Sequence, residues 1–455
     1  MPLEPLDIPM LYGRIAIASA ALTHSLFATL IVGSSLIGAV TATAGHVTHL
    51  DRYSRLARMI AFTLVLTTAT ISFFGVMLVF FLNIFWPRFW HTLFKVMFWP
   101  FLLEAGLFLG EAVFAYAWYY LWDWASTPDR RRRAHLSFIW LAAGCALSAM
   151  FLIDITASYM LTPDPPNSAW ENIFNPTMIH LDLHRWFGNP TWAGFALAGM
   201  NALALLRAKH KDDYEYYRWA GRYCFLIGFG ALLVMPVIGY QYLLNLRYGQ
   251  PQAFQTLMLG ERSWLFDLVA LWYGLLILVG SLYIFRTIRA DPDRPPSFDT
   301  FFPMSLLVLL IAAVVFALPY HLRHLPLASS LTGQEINPWG KMQPNKYFAV
   351  AFLVAFGLVN FLYFLRAFFS NHRAAPVSAR NHRIRGERTT PSLLIALSVC
   401  SILMLLTMGW VRETARAFNG YLIYGRVGLV DEQPTYSRPG GDALDGAASP
   451  EPIRR

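Results

Sequence analysis

Charge is scarce in this chain: of 455 residues only 14% are Asp, Glu, Lys or Arg, against about a quarter in a soluble globular domain. That deficit excludes a soluble enzyme with one hydrophobic tail, because the apolar excess is spread over many long runs. Cysteine is scarce as well. Cys145, Cys224 and Cys400 stand far apart inside apolar runs, which excludes a disulfide framework and a Cys-x-x-Cys-His attachment site. Acid is scarcer than base, with 27 Asp plus Glu against 36 Lys plus Arg and a net charge of +9. The basic excess lies in loops between apolar runs, so it reads as membrane orientation and not as nucleic-acid binding. No internal repeat is visible.

Apolar matter is plentiful: 56% of the residues are hydrophobic and 16% aromatic. A helix of about 20 apolar residues crosses a hydrocarbon core of about 30 Å. Read against the polar breaks, the runs predict spans at 15–40, 58–84, 98–122, 136–160, 184–206, 222–245, 264–286, 302–322, 347–368 and 391–411. The fold class is therefore all-α, a polytopic membrane bundle of about ten transmembrane helices over residues 1–430. The tail 431–455, rich in Pro, Gly and Ala, is expected to be disordered. The first run has no basic start and no small-residue cleavage site, and reads as a retained helix. Alternate loops carry 21 and 8 Lys plus Arg, which places the richer set in the cytoplasm and both termini on the outer side.

An ionisable group buried in hydrocarbon costs several kcal/mol by most estimates and usually lines a site, so the spans were searched for such groups. The first holds Arg14 and, ten residues on, His24. The third holds Glu104 and Glu111, seven residues apart and so on one helical face, among aromatics from Phe108 to Trp122. A buried carboxylate stripe suits proton conduction or a counter-charge to a metallic centre; hydrogen bonds that lock helices together would use the same residues. The fifth span opens with His180 and His184, one turn apart, a spacing that suits a divalent metal, one axial imidazole for a heme, or an exposed first turn. The eighth ends in His321 and His324, ligands or interfacial residues. With the orientation above, these groups gather in the outer half of the membrane.

Over roughly residues 10–290 the chain resembles subunit I of the cytochrome bd type ubiquinol oxidases. Arg14 and His24 followed by Leu26-Phe27 match the family's first helix. The run from Phe101 through Glu104 and Glu111 to Trp122-Asp123 matches its third. Asn175-Pro176, with His184 nine residues after the Asn, matches the segment that supplies a low-spin heme ligand. The resemblance implies that His24 ligates a high-spin heme, b or d, that His184 ligates a low-spin heme b, and that Glu104 and Glu111 serve the proton route. It implies a second oxidase subunit, quinol as donor and dioxygen as acceptor, in the lipid of the inner membrane.

The chain also departs from the family. Glu104 stands one place from the family's first glutamate, and Ala270 falls where the low-spin heme's methionine is expected. No acid occurs between Asp299 and Glu335 to ligate a third heme, for which His321 or His324 is the substitute. The outer loop that binds quinol is short, with Gln250-Pro251 followed by Gln252-Ala253 in place of the Lys, and Glu261 beyond. The family's Gly-Arg-x-Pro-Trp signature survives only as Gly333 to Trp339. Two rival readings follow: an electron-carrier or oxidase subunit fed by cytochrome c, and a transporter or structural subunit without heme.

Overall fold

In hydrocarbon no water satisfies a backbone N–H or C=O, so an apolar chain must bond to itself within each helix. The computed structural model describes residues 10–126, 129–162, 173–258, 262–290, 297–318, 344–370 and 388–417, and its regular structure is helical throughout. Glu261, His321, His324, the 333–339 segment and the tail 431–455 lie outside the described residues.

The helices are α1 (Met10–Thr48), α2 (Asp51–Phe85), α3 (Pro87–Val96), α4 (Phe98–Tyr120), α5 (Asp129–Tyr159), α6 (Met178–Arg207), α7 (Lys211–Gly249), α8 (Pro251–Met258), α9 (Ser263–Arg289), α10 (Ser297–Ala317), α11 (Pro344–Ser370) and α12 (Thr389–Ala417). Ten of them are long and match the ten predicted spans in order. Nine helices among the described residues are long and apolar enough to cross a membrane. The remaining long one, α6, has 30 residues but includes Asp182, Arg185, Asn189 and Asn201.

The connections are tight. Between α1 and α2, His49 adopts the left-handed conformation (φ 56°) and donates its N–H to the Gly45 carbonyl at 3.0 Å, an αL cap that reverses the chain. Two short helices fall where no element was predicted. α3 starts on Pro87, whose missing N–H costs nothing in a first turn. It buries Phe89 and Leu93 and exposes Arg88, His91 and Lys95, the division expected of a helix lying in the interface.

α6 is the hub. It packs on α7, α12, α1 and α5; α1 also packs on α2 and α5, α4 on α5, and α9 on α10, α11 and α12. Such close packing needs small residues where backbones cross. At the α6–α7 crossing a methyl group on Gly194 would stand 2.6 Å from Gly228 Cα, closer than atoms approach. We expect Gly194→Val to destabilise the detergent-solubilised protein by roughly 1–3 kcal/mol through overpacking, read as a lower thermal midpoint; an unchanged midpoint would mean the crossing is not this close.

Candidate functional site

The site begins at a knot of polar side chains before α6. The Asn175 amide donates to Ser158 Oγ at 2.8 Å, and Asn175 Oδ1 accepts from Thr177 N–H at 3.3 Å and Thr162 Oγ at 3.2 Å. This Asx turn ties the start of α6 to the end of α5. It shows what Asn175 of the Asn-Pro motif does locally: it sets the register at which α6 enters the bundle.

One turn before Ser158 on α5 lies Asp154, with no exposed surface, ion-paired to Arg185 of α6. Arg185 follows His184 in sequence. The His184 ring lies against Gly239 of α7, where a methyl group would be 3.6 Å from Cε1, and 6.2 Å centroid to centroid from Tyr242. Its Nδ1 is buried without a hydrogen-bond partner. One turn on, a methyl group at Gly188 would be 3.9 Å from Met235 Sδ. His180 has a different fate: the Asn245 amide of α7 lies 2.9 Å from its Nε2.

His24 occupies an equivalent setting on α1. A methyl group at Gly75 of α2 would lie 3.2 Å from its Cε1 and 3.4 Å from Nδ1, and Nδ1 is again buried without a partner. Trp192 of α6 donates Nε1–H to the Leu26 carbonyl at 3.2 Å, and Phe27 stacks on Phe74 at 6.1 Å. Gly33 packs directly on the Asn189 backbone, and both histidines precede that α1–α6 contact in their helices.

The carboxylates sit on α4. Glu111 is 4% exposed and its Oε1 has no hydrogen-bond partner; Glu104, two turns back, is half-buried. Gly110 faces Cys145 of α5, with Sγ 3.2 Å from a methyl group placed there. α4 thus packs on α5 at Gly110, while His24 lies against α2. Arg14 is exposed on α1, about 15 Å along the axis from His24 at 1.5 Å per residue, and is not brought to the imidazole. Sequence reasoning missed Asp154, Gly75, Gly239 and Met235. It also missed a second buried pair, in which Lys346 of α11 donates to Asp267 of α9 at 2.5 Å and to the Phe316 carbonyl at the end of α10 at 2.9 Å. Asp154 and Asp267 carried the available signal, an acid inside an apolar run.

Among the described residues no three His, Cys, Asp or Glu gather as a metal-binding group. A heme asks for less, because the porphyrin fills four positions and the chain supplies one or two axial side chains. Two half-buried imidazoles, each with a buried Nδ1 that accepts or donates no hydrogen bond and a glycine against its ring, fit that demand.

Comparison with known proteins bears on the family and the fold. The family model for cytochrome bd terminal oxidase subunit I matches residues 12–260. A curated relative, cytochrome bd ubiquinol oxidase subunit 1 of Bacillus subtilis (strain 168), is 24% identical over 252 residues, 53% of this chain and 52% of the relative; the match spans about half of that protein. The solved structure of the bd oxidase from Geobacillus thermodenitrificans aligns with a TM-score of 0.54 at 18% identity, over 80% of this chain and 97% of that one, a likeness of fold.

Removing one member of a buried ion pair costs about 3–5 kcal/mol, because the other is stranded. Asp154→Ala should cost that much in unfolding experiments in detergent, and Asp154→Ala/Arg185→Met should regain part of it. A single variant as stable as the wild type would rule out the pair as a structural element.

Proposed function

Because the chain belongs to the cytochrome bd terminal oxidase subunit I family, we propose that it is the heme-carrying membrane subunit of a bd-type oxidoreductase, with His24 and His184 as the residues that would hold its hemes. The observation that carries this reading is the paired setting of the two imidazoles. Each has a buried Nδ1 without a partner and a glycine of the next helix against its ring. Bound heme supplies the one-electron redox chemistry, and at a high-spin, gas-accessible centre the reduction of dioxygen to water.

The chain's own residues do the rest. Helices α1, α2, α6 and α7 exclude water from the two imidazoles and hold their rings in place. Arg185, next to His184 in sequence and charge-paired with Asp154, would offer its remaining donors to an anionic heme substituent. Glu111 takes and gives a proton at Oε1, and Glu104 continues the route along the same face of α4. A third heme would draw on His321. The chain sits in the inner membrane with the base-rich loops in the cytoplasm, beside a second oxidase subunit.

Quinol is the donor by likeness to the family. One observation favours the cytochrome c reading: the connection from α7 to α9, where the family binds quinol, is largely taken up by α8, with Ala253, Phe254, Leu257 and Met258 buried.

The test is a reduced-minus-oxidised spectrum of the purified protein, with and without carbon monoxide, beside extracted-heme quantitation. Two or three hemes with one carbon monoxide-reactive centre are expected; protein without heme would leave the transporter or structural reading. His184→Ala should lose the low-spin signal and His24→Ala carbon monoxide binding, each with the protein still inserted, and an unchanged spectrum would refute either assignment. Glu111→Gln should keep its hemes and slow turnover by roughly 10²-fold, the scale of a lost acid–base group. Turnover at the wild-type rate would remove Glu111 from the proton route.

A further inference from the structure

Hydroxyls inside membrane helices turn back on their own backbone, because a buried O–H without a partner is costly. Ser35 and Thr41 of α1 and Thr63, Thr67 and Ser72 of α2 do so, each donating to a carbonyl of its own helix at 2.6–3.0 Å. Ser34 of α1 and Thr68 of α2 do not. Their residues are 0% and 2% exposed, yet both hydroxyls are buried without a hydrogen-bond partner. Glu111 of α4 is in the same condition at Oε1.

Packing brings these three oxygens to one depth. A methyl group on Gly38 of α1 would stand 3.1 Å from Ile60 of α2 and 3.2 Å from the tip of the Trp118 ring of α4, so the three helices converge there. From this contact toward the Asn175 end of the bundle, Ser34 is one turn along α1 and Glu111 two turns along α4, each on the contacting face. Glu111, Ala115 and Trp118 are the buried stripe of α4. Phe62 of α2 meets Tyr119 of α4 with ring centroids 6.0 Å apart, and counting from that pair at 1.5 Å per residue sets Thr68 and Glu111 level to within about one turn. In the other direction Thr68 shares a face of α2 with Gly75, two turns on, and Gly75 is the residue against the His24 ring.

We propose that Ser34, Thr68 and Glu111 bind a short chain of internal water, and that Thr68 passes the proton of Glu111 sideways, from α4 to the α2 face against which His24 lies. A buried water makes two to four hydrogen bonds to groups that lack them, and two hydroxyls with a carboxyl supply donors and acceptors. Ionisable and polar residues inside a membrane bundle mark proton relays. In each step one O–H bond breaks as the next forms: Glu111 gives its proton to water, water gives one to Thr68 Oγ1, and the threonine's own proton moves on toward the His24 side, where reduction of dioxygen consumes it. The relay rests on the proton-handling reading of Glu111; the water site does not.

The test is infrared spectroscopy of the purified full protein, in which the Glu111 carboxyl C=O band is identified as the one that Glu111→Gln removes. This readout needs neither heme nor turnover. The wild-type band should shift promptly on transfer to deuterated water, as for a carboxyl in contact with exchangeable water. Thr68→Val, which keeps the shape and deletes the hydroxyl, should raise the band's frequency and slow its exchange about tenfold or more. Turnover should fall roughly tenfold, less than the loss of an acid–base group itself, with heme content and carbon monoxide binding unchanged, and Thr68→Ser should restore all of these. If Thr68→Val does not insert, Ser34→Ala should give the same spectral changes in weaker form. No such band in the wild type, or wild-type frequency and exchange in both variants, would overturn the water site. Altered bands with wild-type turnover in Thr68→Val would overturn the relay alone, whereas wild-type turnover in Glu111→Gln would overturn the proton role of Glu111 and the relay with it.

Discussion

A carboxylate with no exposed surface inside a membrane bundle must keep its counter-ion, and the arrangement around the candidate heme ligands follows from that constraint. Asp154 of α5 is held by Arg185 of α6; separating them would leave a charge in a medium that cannot solvate it. The pair therefore fixes both the rotation and the height of α6 against α5. His184, adjacent to Arg185, inherits that rotation and is turned onto α7. The knot at Asn175 and Ser158 adds a second rung about a turn further along α5, so the first half of α6 cannot slide.

Room for a flat macrocycle is a second requirement, and it opposes the first. A polar helix pulled into the bundle by ion pairs tends to close every gap around it. Here the residues facing the two imidazoles are glycines, Gly75 and Gly239; a methyl group at Gly75 would crowd the His24 ring at 3.2 Å, and one at Gly239 would meet the His184 ring at 3.6 Å, an ordinary contact. Elsewhere glycines do the reverse: Gly194 with Gly228, and Gly33 with Asn189, bring backbones into contact. The same residue type thus tightens the bundle at its crossings and loosens it beside the imidazoles, and α6 carries two of the tight contacts directly after its loose segment.

Much of this was legible in the sequence because hydrocarbon penalises ionisable groups so heavily. His24, Glu111 and His184 stood out inside apolar runs, and all three are buried or half-buried within the bundle. The ten runs were legible for the same reason, and each became a long helix. Pairing was not legible: periodicity says which face a residue occupies but not which helix meets that face, so Asp154 with Arg185 and Asp267 with Lys346 had no visible signature. Arg14 misled in the opposite way, since a cation near a helix end reaches the interface at little cost and here is exposed. The short helices α3 and α8 were missed because eight to ten residues give too few turns for an apolar face to declare itself against the flanking runs.

The two ends of the bundle handle charge differently. At one end acids and bases are matched in buried pairs, Asp154 with Arg185 and Asp267 with Lys346, which are also the groups nearest the histidines and the start of α11. At the other end Arg218, Arg222 and Arg286 line a cleft with no acid among its described walls. Matched charges suit a redox site, where a stray field would shift the balance between oxidised and reduced states.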